Sequence, residues 1–289
     1  MKRLLAALAG ALALAAPAFA DAPGARDADP ALWVVRDADT TIYLFGTVHF
    51  LPKDIVWFDD AVADAFNASD ELRMEILPVE DPSALAPLIL KLAVDPKGRT
   101  MAQRLSPQDH AAYVKALAEI GLPAAPLEPL EPWFVAVQAA SVMYMKSGLD
   151  PKTGAEEVLT EAARRSGKAI TAFETPEQQF AMLDSTPETE QVQGVLDFAH
   201  HREESVALMM QMVGHWARGE ADETGRLMNE DMKDAPETSR ILLKERNARW
   251  AADLKQRMER PGVVFVAVGA GHLAGQDNLR DFLGKEGLK

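Results

Sequence analysis

Two Gly-x-x-His runs, Gly46–His49 and Gly269–His272, each follow a hydrophobic, strand-like segment and precede a turn. In a parallel sheet, side chains just past the strand C-termini converge on one edge, where open α/β folds place their ligands. Glycine suits a chain that turns sharply off a strand beside a ligand. Glu75, within Met74-Glu75-Ile76-Leu77, and Glu174, after Ala169–Phe173, add carboxylates from two further strands. His49, His272 and one of these carboxylates make a ligand set for zinc, manganese or another divalent ion such as cobalt, with coordination room left for water. An ion so held acidifies its water and polarises a carbonyl, which is metal-assisted hydrolysis. Each residue also has a plainer role: Glu75 could pair with Arg73 or a distant arginine, and Glu174 could stabilise the helix that follows it.

The elements that must position these groups read as alternating strands and helices. Ala31–Val35 and Thr40–Phe45 are β-type runs joined by a turn over Arg36–Asp39, residues 59–69 carry apolar groups at helical spacing, and Glu71–Leu77 is a strand. From about 79 to 150 the rhythm is helical, with Pro82, Pro107, Pro126, Pro129 and Pro132 near segment starts, as an inserted helical layer. Gly154–Ser166 is a helix stopped by Gly167, Ala169–Phe173 is a strand, and Thr175-Pro176-Glu177-Gln178 is a capping box that starts the next helix at once. Residues 188–260 are helix-permissive, with breaks around Gly214, Gly219, Gly225 and Asp234-Ala235-Pro236 and a long helix from about Glu237 to Arg260. Val263–Val268 is apolar on both faces, which places it mid-sheet beneath helices, and Gln276–Leu283 closes the chain. The fold class is therefore α/β, with α+β as the alternative: a central, largely parallel or mixed sheet flanked by helices, with a large helical elaboration.

Of 289 residues, 44 are acidic and 30 basic, for a net charge of −14, which disfavours nucleic acid and anionic lipid as partners. Lys2-Arg3, the apolar run Leu4–Ala20 and the closing Ala18-Phe19-Ala20 read as a secretory signal peptide cleaved after Ala20. Residues 21–30 then read as a disordered N-terminal stretch and 31–289 as a single domain. No later run approaches membrane length, and cysteine is absent. The expectation is a periplasmic protein with no stable membrane span after cleavage. His110, His200, His201 and His215 read as surface or packing residues, and Met209, Met210 and Met212 as helix core. No Gly-x-Ser-x-Gly elbow, phosphate loop or His-Glu-x-x-His helix is present.

The chain resembles the TraB/PrgY/GumN family, which is related to the Tiki membrane-associated metalloproteases and more distantly to erythromycin-esterase-like proteins. The resemblance rests on Leu44-Phe45-Gly46-Thr47-Val48-His49, Glu75, Glu131-Pro132-Trp133, Ala172–Gln179, Trp216 with Gly219, Arg246-Asn247-Ala248-Arg249-Trp250 and Val268–Gly275. It implies a metal-dependent hydrolase site in which the two histidines and the early glutamate map to His49, His272 and Glu75. It further implies that Arg246 binds an anionic intermediate or pairs with a carboxylate. Where the family often has Gly-Val-Asp, this chain has Gly154-Ala155-Glu156, which leaves the role of that acid open.

The function expected is a periplasmic metal-dependent hydrolase, first of all a peptidase, with Glu75 or Glu174 shuttling the proton and Arg246 assisting. Its partner would be a peptide or small-molecule substrate. Two alternatives remain: a metal-independent, esterase-like hydrolase with His49 as base, and a non-catalytic periplasmic protein that binds a peptide or other ligand.

Overall fold

The computed structural model describes residues 24–79 and 81–288. The expected signal peptide lies outside the described residues. Five strands form the main sheet: β1 (Leu32–Arg36), β2 (Thr40–Thr47), β3 (Glu71–Ile76), β4 (Ala169–Glu174) and β5 (Gly262–Gly269). Their spatial order is β1-β2-β5-β3-β4. The edge hairpin β1–β2 is antiparallel and the other three pairings are parallel, which makes this a mixed, mostly parallel α/β sheet. Asp37 shapes the hairpin turn by accepting from the backbone N–H groups of Asp39 and Thr40, at 3.1 and 2.8 Å.

The apolar run of β5 occupies the middle of the sheet, and its side chains divide with a period of two. Val264, Val266 and Val268 pack on one face with Ile42, Leu44, Trp250 and Leu254. Phe265 and Ala267 pack on the other with Phe45, Phe66, Leu72 and Trp216. Both faces are thus covered by helices. A third cluster, away from the sheet, joins helices Pro107–Ile120, Pro132–Lys146 and Glu188–His200 through Tyr113, Leu117, Val135, Val195 and Phe198. The helical layer expected over 79–150 therefore recruits a helix from beyond β4.

Three expectations are corrected. Residues 24–30 are not unstructured: Arg26–Asp27 pairs in parallel with Ile55–Val56, Asp29 N–H donates to Ala217 O at 2.8 Å, and Ala28 is buried. A polar, proline-flanked composition hides this because the order comes from backbone pairing and not from apolar side chains. Neither Gly214 nor Gly225 breaks a helix: they lie inside Arg202–Ala217 and Ala221–Asp231, and a Cβ added at Gly225 would come within 2.3 Å of Gly275 N, so that glycine serves close packing. The helix expected over 237–260 runs as Pro236–Ser239, one π-helical turn Arg240–Lys244, and Glu245–Arg257. Periodicity at 3.6 residues per turn cannot show such a widened turn.

Candidate functional site

The C-terminal ends of β2, β5, β3 and β4 lie side by side. Thr47 is in register with Gly269 and Ile76 with Glu174, so the residues just past these positions share one edge. At the end of β2 the chain turns into His49 against the N-terminus of helix Ala155–Ser166. Ala155 N–H donates to Val48 O at 3.0 Å. A Cβ on Gly154 would stand 2.1 Å from the His49 carbonyl oxygen, so only glycine permits this approach. The clamp brings His49 Nδ1 to 2.8 Å from Glu156 Oε1. The His49 side chain is 71% exposed, while Glu156 is half-buried.

Behind this pair lies a buried network centred on Arg246, which is 5% exposed. Its Nε donates to both oxygens of Glu174 at 3.1 and 3.0 Å, and its Nη2 to Glu174 Oε2 at 2.8 Å and Glu75 Oε2 at 2.6 Å. Nη1 reaches His272 Nε2 at 3.0 Å and Leu242 O, in the π turn, at 3.1 Å. Glu75 Oε1 accepts the Gly269 N–H at 2.7 Å, and Oε2 also accepts Gln179 Nε2 at 3.1 Å. Trp250 Nε1 donates to Glu174 Oε1 at 3.2 Å. The capping box places Gln179 by starting its helix directly after Glu174.

The His272 tautomer follows from its partners. A guanidinium only donates, so Nε2 must accept, and Nδ1–H then donates to Asn247 Oδ1 at 2.7 Å. Asn247 Nδ2 donates to Asp277 O at 2.9 Å, which fixes the amide in the matching orientation. Burial pushes His272 down to about 4; Glu75 opposes the shift, and Arg246 and His49 add to it. The ring is neutral at physiological pH. Burial alone would raise Glu75, but His272, Arg246 and the Gly269 N–H overcome it and hold the carboxyl at about 2. His49 moves the opposite way, to about 9, because the charge and hydrogen bond of Glu156 outweigh its desolvation. Glu156, raised by burial, is lowered overall by the same pairing.

His49, Glu75 and Glu156 share the wall of one cavity of about 410 Å³, with Thr47 beside them and Ile76 and Leu77 on the apolar side. His272 is not part of that wall: it is 4% exposed and stands behind Glu75, its Nε2 3.6 Å from Glu75 Oε1. Glu174 faces a neighbouring cavity of about 710 Å³ with Arg249 and Trp250. The donor chemistry suits a divalent ion, because each imidazole has Nδ1 on an oxygen acceptor, the usual support for a ligating Nε2. The spacing does not. His49 is drawn to Glu156, the guanidinium of Arg246 is the cation matched to Glu75 and His272, and no group of three His, Asp or Glu among the described residues is arranged around one point.

The model of the TraB/PrgY/gumN family matches residues 31–289. The chain belongs to this family. An uncharacterized Escherichia coli protein, YbaP, is 23% identical over 257 residues, covering 88% of this chain and 92% of its own length. An uncharacterized protein of Treponema pallidum is 20% identical over 270 residues, covering 89% of this chain and 80% of its own. No solved structure matches.

The structure gives the family motifs distinct local tasks in this TraB/PrgY/gumN member. Arg246, Asn247 and Trp250, spaced i, i+1 and i+4, lie on the buried face of one helix and hold Glu174, His272 and Glu75. Trp216 Nε1 donates to Gly46 O at 2.7 Å and steadies the turn before His49. Glu156 is the site acid that sequence reading left open; the signal was its place three residues into a glycine-led helix start. His110, His200 and His215 pair with Glu128, Asp109 and Glu220, away from the site. Arg73, considered as a partner for Glu75, pairs instead with Asp253.

Proposed function

We propose that this family member is a hydrolase of amide or ester bonds, first of all a peptidase, exported to the periplasm and working in the His49–Glu75–Glu156 cavity. The observation that carries the reading is the 2.8 Å His49–Glu156 pair at the surface of a cavity of about 410 Å³. His49 is an imidazolium at neutral pH, which suits it to donate Nε2–H to a substrate carbonyl oxygen rather than to act as base. Glu156, ionised and with Oε2 buried and unpaired, is the acceptor for a proton from attacking water. Glu75, bound by Arg246, Gly269 and Gln179, is spoken for as an acceptor and acts as an anchor for the wall. Arg246 and Glu174 hold Glu75 and His272 in place from within.

A second reading, in which His49, Glu75 and His272 hold a zinc, manganese or cobalt ion, draws on the oxygen acceptors of both Nδ1 atoms and requires Arg246 to leave His272 Nε2. The ion would polarise the carbonyl and acidify a water. One experiment addresses both. Cleavage of peptide and ester libraries is measured for the wild type, His49→Ala and Glu156→Gln, before and after chelation. Loss of turnover in both variants with no effect of chelator supports the first reading, and loss on chelation with recovery on adding metal supports the second. Unchanged turnover in both variants overturns the site, and ligand retention without turnover marks a binding protein.

A further inference from the structure

Two atoms in the cavity wall are left without partners. Thr47 Oγ1 and Glu156 Oε2 are buried and have no hydrogen-bond partner among the described residues. Thr47 is 3% exposed, at the last position of β2, and both residues line the same cavity as His49. Valine, of the same shape, would serve the strand and the apolar packing equally well. A buried hydroxyl is retained where it meets a polar partner. The Thr47 hydroxyl acts on Glu156 as a hydrogen-bonding group that lowers its carboxyl, although the two oxygens do not meet in direct hydrogen-bond geometry.

We propose that Thr47 is a further catalytic residue of the hydrolase reading, its Oγ1 and Glu156 Oε2 together seating the attacking water. The assignment rests on that reading. The hydroxyl donates to one lone pair of the water, Glu156 Oε2 accepts one of its protons, and the second lone pair faces the cavity. In the reaction the water oxygen bonds to the carbonyl carbon as its proton passes to Glu156. The carbonyl π pair moves to the oxygen that His49 Nε2–H contacts. On collapse, the oxygen pair re-forms the carbonyl, the bond to the amine or alcohol breaks, and the leaving group takes the proton back from Glu156. Nothing is oxidised or reduced, and no further reactant enters.

The test pairs Thr47→Val with Thr47→Ser, each checked for folding by circular dichroism. The valine variant is expected to lose on the order of 100-fold in kcat with KM within about two-fold, and the serine variant to return to within a few-fold of the wild type. A high-resolution crystal structure of the wild type is expected to show a water about 2.6–3.2 Å from both atoms, lost in Thr47→Val. A valine variant with wild-type kcat, or a map with Oγ1 bonded directly to Glu156 and no water between them, overturns the assignment. If His49→Ala and Glu156→Gln abolish turnover while Thr47→Val does not, only Thr47 is wrong. If none of the three changes turnover, the hydrolase reading fails with it. Should no substrate be turned over, the crystallographic water still decides the seat.

Discussion

Arg246 donates Nε to both oxygens of Glu174, at 3.1 and 3.0 Å, and with the same guanidinium reaches Glu75 at 2.6 Å. One buried cation thus spans two carboxylates delivered by the neighbouring strands β3 and β4. Removing it strips Glu75 of its guanidinium and leaves Glu174 only the exposed Arg249, 3.5 Å away. Arg246→Met is expected to destabilise the fold by roughly 3–5 kcal/mol, the range for breaking a buried ion pair from one side. Urea unfolding checks this. A loss below about 1 kcal/mol would mean that the network relaxes into water and that the arginine is not its keystone.

Gly154 has ordinary extended backbone angles, φ −58° and ψ 149°, so its substitution acts through space and not through backbone strain. The Cβ of Gly154→Ala would meet the His49 carbonyl oxygen at 2.1 Å, and the turn carrying His49 must move. The expected outcome is a cost of about 1–3 kcal/mol from overpacking and loss of the His49–Glu156 contact. The imidazole signals of His49, followed by NMR, would then no longer respond to Glu156→Gln. Coupling that persists in Gly154→Ala would show that this clamp does not set the pair.

Much of this framework was legible in the sequence because it is written in local physics. The continuous apolar run of β5, the Thr175–Gln178 capping box and the glycine-led turns before His49 and His272 each depend on residues within one short segment. What could not be read is who pairs with whom across the sheet edge. Glu75 and His272 are adjacent, but the charge that meets them belongs to Arg246, on a helix whose register is shifted by the Arg240–Lys244 π turn. Glu156 carried no signal stronger than a helix N-terminal acid. Its importance comes from the His49 turn packing on Gly154, a long-range contact that composition and spacing do not encode.

Asn247 fixes which nitrogen of His272 carries the proton. Asn247→Asp keeps the shape and puts a negative charge about one hydrogen bond from Nδ1. An adjacent anion favours the imidazolium, so the ring, held near 4 by burial in the wild type, is expected to titrate at clearly higher pH in the variant. Proton or nitrogen NMR of His272 reads the change directly. A ring that still titrates near 4 would show that the Asn247 contact is not made in solution.

The helical layer should contribute to the loss of stability in acid. Asp95 is buried among Arg99 and Arg104, accepting from Arg99 Nε at 2.9 Å and lying 2.8 Å from Arg104 Nη2, with Glu131 and Glu188 on the same arginines. Burial raises the Asp95 carboxyl, but the backbone N–H groups of Lys97 and Arg99 and the two guanidinium groups bring it from 3.8 down to about 2. A carboxyl lowered in the folded state binds fewer protons there than in the unfolded chain. Its contribution is therefore complete above about pH 4 and fades as the pH falls towards 2. Glu131 is raised by burial and works in the opposite direction, gaining its proton before Asp95 does, so it does not supply the loss at lower pH. Urea midpoints measured from pH 5 to pH 2 should fall most steeply below pH 4 in the wild type. Asp95→Asn, which has no charge to lose, should be less stable at pH 6 and show a shallower fall. Parallel curves for the two proteins would place the acid sensitivity elsewhere in the fold.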